Sequence, residues 1–133
     1  MHPLDWVQSE LEADAELKSM LSVYQGYPAI TQEVVPDGMQ MPYLILRSEA
    51  DVPSNNPLIN EILVSIDVYA EGDRVLVRSI GNRIEKLLDM TSPFPHCISC
   101  FRAGRYPIEQ PDPSIKMENL KFKIRYPRED LID

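Results

Sequence analysis

Apolar positions along this chain fall into two rhythms, one of period two and one near three and a half. Over residues 62–70 the alternation is strict: Ile62, Val64, Ile66 and Val68 share one face, and Leu63, Ser65, Asp67 and Tyr69 share the other. Such a pattern predicts a strand with one apolar face and one mixed face, the mixed face half-covered by a loop or a neighbour. The rhythm then changes. Val77, Ile80, Ile84, Leu87 and Leu88 form a helical stripe, with Arg74, Arg78, Asn82, Glu85 and Lys86 outward and Asp73 placed to cap the first turn. Residues 115–126 alternate again, Leu120, Phe122, Ile124 and Tyr126 against Lys121, Lys123 and Arg125, which predicts a strand with a wet, basic face.

The remaining pieces are read the same way. Leu4, Val7, Leu11, Leu17 and Leu21 predict one amphipathic helix over 3–21, with Pro3 in its first turn. Strands are expected at 29–35, closed by the turn formers "PDG" at 36–38, and at 42–48. The stretch "EADVPSNNP" at 49–57 has no periodicity and is expected to be a flexible loop or a contact loop. A further strand is expected at 96–102, between proline-rich loops at about 91–96 and 107–113. Short connections favour antiparallel pairing. The expected fold is therefore α+β: a mostly antiparallel sheet of four to five strands with two amphipathic helices packed on one face, all in one domain over 1–133.

Composition narrows the function more than the fold. The chain has 133 residues, 44% of them hydrophobic and 26% charged, as in soluble globular proteins. No apolar run approaches the ~20 residues of a membrane span, and the acidic opening stretch does not read as a signal peptide. The expected place is the cytoplasm of the producing cell, or a particle built there. A net charge of −8 argues against gripping nucleic-acid phosphates. That charge is unevenly spread: residues 1–20 hold five acids against one lysine, whereas 116–128 is basic apart from Glu118. Opposite patches on one small domain suit head-to-tail contact between copies, although solvated faces are the commoner meaning of charge runs.

Candidate chemistry is sparse. "HCISC" pairs Cys97 and Cys100 beside His96, but one CxxC with only His2 elsewhere does not supply four zinc ligands. An extended "HCISCFRAGRY" would turn the two thiols to opposite faces, so a structural role is expected for both. The corner "EGD" has one glycine and two acids, which would repel a phosphate from the helix that follows. Asp67, Glu71 and Asp73 could imitate a magnesium site, and Asp67, Glu71 and His96 a small catalytic set, but each is supported only by nearness in sequence. No catalytic residue, cofactor or metal ligand is assigned.

The order of the pieces, "ITQEVV", "PYLIL", a loop, and then "EILVSIDVYAEGDRVLVRSIGNRIEKLL", resembles the tail terminator (tail completion) proteins of long-tailed bacteriophages and prophages. The likeness spans about residues 4–126, and its specific part is 42–88. The proline-rich "SPFPHCISC" and "YPIEQPDP" have no counterpart in the family pattern. The resemblance implies a non-enzymatic virion protein whose copies form a ring, usually a hexamer, that caps the tail tube and joins it to the head. Its partners would be itself, the tail tube protein and head-tail connector proteins, without specific nucleic-acid binding or membrane attachment. It would be assembled in the host bacterial cytoplasm and end in the tail or neck. The residues expected to carry subunit contact are Glu10, Glu12, Asp14 and Glu16 on one side and Lys121, Lys123 and Arg125 on the other. Two other readings are a head-tail adaptor or neck protein, and a small bacterial adaptor that binds a protein through the 49–57 loop.

Overall fold

A computed structural model describes residues 2–92 and 97–128. A five-stranded sheet carries the fold, and each strand follows from the alternation read above. In chain order the elements are α1 (Pro3–Ala13), α2 (Ala15–Met20), β1 (Val23–Tyr24), β2 (Tyr27–Pro28), β3 (Ile30–Gln32), β4 (Tyr43–Pro53), β5 (Ile59–Glu71), α3 (Arg74–Leu88), β6 (Ser99–Glu109) and β7 (Ile115–Pro127). β1 and β2 form a small hairpin, and the main sheet has the order β3-β4-β5-β7-β6. All its pairings are antiparallel except β3 with β4, which run parallel. The fold class is therefore α+β with a mostly antiparallel sheet. The parallel pair departs from the expected pairing because ten residues, 33–42, separate β3 from β4. That length lets the chain turn back on itself before pairing.

The three helices lie against one face of the sheet. Ile62, Val64, Ile66, Val68 and Ala70 of β5 meet Leu120, Phe122 and Ile124 of β7 in one buried cluster, together with Val77, Ile80, Ile84 and Leu88 of α3. Leu4, Trp6, Val7, Leu11 and Leu17 bring the first two helices into the same core. The expected single helix over 3–21 is in fact two. Asp14 adopts an extended backbone, its N–H reaches back to the Leu11 carbonyl, and its carboxylate accepts from the Leu17 N–H at 2.8 Å. One residue thus ends α1 and caps α2. The six-residue step from Leu11 to Leu17 breaks the helical spacing at the same place.

Two of the expected loops are shorter than their composition suggests. Residues 49–53 belong to β4 and pair with β5 as far as Pro53 opposite Asn60, across a bulge between Ser48 and Ala50. The loop expected at 49–57 is reduced to a tight turn around Ser54 and Asn56, with the Ser54 hydroxyl bound to the Asn56 backbone. Likewise Pro107 and its two successors lie in β6 rather than in a loop, opposite Glu118, Met117 and Lys116. β6 is the outer strand, where proline's missing N–H costs no ladder bond on the solvent side. Of the loop expected at 91–96, Thr91 bridges to Cys100, and residues 93–96 lie outside the described residues.

The strand expected at 96–102 starts only at Ser99, which changes the cysteine geometry. Cys97 precedes the strand and Cys100 lies within it. Both are free and fully buried in the common core, so the expected divergence does not occur. Burial pushes the Cys97 thiol up to about 11 and the Cys100 thiol to about 12, far from the thiolate needed for redox or metal chemistry.

Candidate functional site

The "EGD" corner at residues 71–73 is held by its own hydrogen bonds. Gly72 has φ +72°, a conformation that favours glycine, and its N–H donates to the Ser114 carbonyl at 2.5 Å. Asp73 accepts from the Leu76 N–H at 3.1 Å and so caps α3. Asp67 lies on the other side of the sheet, buried, where it accepts from Arg47 and Asn119, each at 2.6 Å. Glu71 is exposed at the strand end, and His96 lies outside the described residues. Among the described residues, no three His, Cys, Asp or Glu side chains gather at metal-binding spacing.

The candidate contact residues sit on two different layers. Glu10, Glu12, Asp14 and Glu16 belong to the helical layer, and their engagement differs. Glu10 is exposed, and Glu12 accepts from the Gln8 amide at 2.8 Å. Asp14 is held by Arg83, whose Nε and Nη2 donate at 2.9 and 2.6 Å, and Glu16 meets the same guanidinium at 3.1 Å. The Arg83 hydrogen bond holds the Asp14 carboxyl below its usual range, and burial only partly offsets this.

Lys121, Lys123 and Arg125 point from β7 to the face opposite the helices. Lys121 is paired with Glu49 at 2.5 Å, and that contact lowers the Glu49 pKa. Arg125 approaches Glu61 at 3.6 Å, too far for a hydrogen bond. Lys123 is exposed and has no acid within ion-pair distance among the described residues. The two expected patches therefore stay apart within one copy, and their freest members are Glu10 and Lys123.

Between those basic residues and β4 lies a polar network. Asn119 donates to Ser65 and Asp67, each at 2.6 Å, and Arg47 closes it from β4. Ser65, Asp67 and Asn119 are all buried although no helix covers this face among the described residues. Around them Phe101, Tyr106 and Ile108 of β6 remain exposed. This is the mixed face that the β5 alternation implied, now closed over by its own side chains.

A feature that sequence reading missed lies on the helical side. Arg74, Arg78 and Asn82 project from successive turns of α3, and Arg105, Pro107 and Glu109 of β6 face them across a cleft of about 750 Å³. Arg105 bridges the walls: it donates to Asn82 at 2.8 Å, Glu85 at 3.2 Å and the Arg78 carbonyl at 3.0 Å, and it also pairs with Glu118. Gly81 makes room for this bridge, since a Cβ there would lie 2.7 Å from the Arg105 guanidinium. Arg74 and Arg78 have no acidic partner within ion-pair distance among the described residues. Their four-residue spacing was visible in the sequence; the opposite wall, some thirty residues later, was not.

A family profile described as tail completion protein gp17 matches residues 6–126, nearly the whole chain. The chain belongs to the tail completion protein gp17 family. It is thus a structural protein of phage tail assembly. Its fold also matches a chain from the virion of a native gene transfer agent particle, with a TM-score of 0.74 over 92% of each chain at 16% identity. At that identity the likeness speaks for the fold. A separate local similarity, 32% identical over 73 residues, covers 51% of this chain and 5% of the DNA-directed RNA polymerase subunit beta' of Colwellia psychrerythraea. The chain spans about a twentieth of that protein's length, and the tail completion family accounts for far more of it.

Proposed function

We propose that this protein is a non-enzymatic tail terminator whose copies form a ring, of six subunits, that caps the tail tube and joins it to the head. The family match over residues 6–126 carries this reading. In this reading its partners are further copies of itself, the tail tube protein and the connector proteins on the head side. It is assembled in the host bacterial cytoplasm and ends in the tail or neck of the virion.

A ring of identical subunits needs two unlike surfaces on each copy. The acidic helical layer and the basic sheet face are such a pair, with Glu10 and Lys123 as the members without a side-chain partner among the described residues. Glu12, Asp14, Glu16, Lys121 and Arg125 flank them and are already engaged within the chain. Deleting the gene from a producing phage tests the role. The expected result is separate heads and tails, with tails of irregular length because nothing closes the growing tube. Normal, joined particles from the deletion would contradict it.

A further inference from the structure

We infer that the arginine cleft between α3 and β6 receives the acidic segment at residues 129–133, "EDLID", of a second copy. The inference rests on the reading that copies of this chain assemble with one another. Its physical basis is an imbalance of charge. In a chain of net charge −8, Arg74 and Arg78 stand one helical turn apart on the cleft wall, with no acid within ion-pair distance among the described residues. Arg105, in contrast, is already balanced by Glu85 and Glu118, so the positive charge left to recruit a partner is that of Arg74 and Arg78. The occupant that this pair favours is short and acidic. Glu109 on the rim would repel a long polyanion such as nucleic acid, whereas a few discrete carboxylates can pair with the two arginines and avoid it. The volume of about 750 Å³ lies within the range of sites that hold small ligands.

Residues 129–133 have that chemistry. Glu129, Asp130 and Asp133 flank Leu131 and Ile132, and the exposed Pro107 offers those two side chains an apolar wall. Chain geometry then decides which copy is involved. Arg128 ends at the β4–β5 turn, its N–H donating to the Leu58 carbonyl at 3.1 Å. Glu118, on the cleft floor, is ten residues back along β7, about 33 Å away at strand rise. Five residues reach about 18 Å when fully extended. A copy cannot fill its own cleft, so the contact runs from one subunit to the next. Each copy donates one segment and receives one, which is the heterologous arrangement that generates rings or filaments.

The test is a titration of fluorescein-labelled EDLID peptide into the full-length protein, followed by anisotropy. Saturable binding is expected, weakened at least about tenfold between 0.05 and 0.5 M salt because the pairs are solvent-accessible. Arg74→Glu with Arg78→Glu should reduce binding by about tenfold or more, and Arg74→Gln with Arg78→Gln should reduce it without introducing repulsion. A peptide with amides in place of its acids, NNLIN, should not bind. Absence of EDLID binding, or equal binding by wild type and both double variants of unchanged circular dichroism, would overturn the inference. The titration is read on protein diluted until sedimentation shows monomers, whose clefts no neighbouring segment fills. Its failure therefore strikes this contact alone, whereas joined particles from the gene deletion strike the assembly role.

Discussion

The two faces of the sheet solve burial in opposite ways. Toward the helices, β5 and β7 present a largely apolar surface with polar groups at its two ends: Arg105 spans α3, β6 and β7 at one, and the Tyr126 hydroxyl donates to Asp51 at the other. On the other face the centre is polar. Ser65, Asp67 and Asn119 are buried there beneath Arg47 and their neighbours, while apolar side chains of β6 remain at the surface. The helical face is held by non-directional packing and tolerates any shape that fills it. The open face is held by directed hydrogen bonds that keep a pleated surface in one arrangement. One face is thus held mainly by packing, and the other by a hydrogen-bonded centre that fixes the relative positions of β4, β5 and β7.

Substitutions can separate the two. The largest effect is expected from Phe122→Ala at the centre of the helical face, a loss of about 3–5 kcal/mol in urea unfolding, from both transfer and cavity. Asp67→Ala on the open face should cost about 1–3 kcal/mol, because Asn119 and Arg47 lose their acceptor. If Asp67→Ala costs as much as Phe122→Ala, the open face carries more of the fold than argued. Asp14→Ala, between α1 and α2, should cost about 1–2 kcal/mol through loss of the cap, and the Arg83 contact adds to it.

Asp14 also has a pH dependence of definite sign. Its folded carboxyl titrates below the ordinary 3.8, so its contribution is fully present above that value and is lost as pH falls through the folded one. Asp14→Asn should flatten the acid limb of stability below about pH 4, and an unchanged acid limb would show that the Arg83 contact is weak in solution. The smallest effect on the fold is expected at Lys123→Glu, within about 0.5 kcal/mol, since the side chain is exposed and has no acid within ion-pair distance among the described residues. The same variant should lower self-assembly, with recovery on adding Glu10→Lys. Unchanged assembly would remove Lys123 from the interface.

How far the chain could be read in advance depends on whether a signal was local. β5, α3 and the Asp73 cap were legible because strict alternation, a helical stripe and a capping residue lie within 30 residues. The break at Asp14 was written in the Leu11-to-Leu17 gap, but polar "EADAE" also suits a continuous helix, and only the cap geometry decides. Residues 49–53 and Pro107 read as loops because proline and acids disfavour strands in general. Both stretches continue long strands, where β5 and β7 impose the pairing. The family pattern was legible in 42–88. The arginine cleft was not, because Arg105 meets Arg78 and Asn82 only after β6 has paired with β7.

We have proposed that the protein acts by ring assembly on a tube end. Such assembly is tested most directly by electron microscopy of purified tail tubes incubated with the protein, counting subunits at each tip. The expected image is a six-copy ring at one end of each tube, with bare sides and no further tube growth at that end. Tubes whose tips stay bare and continue to elongate in the presence of excess protein would contradict it.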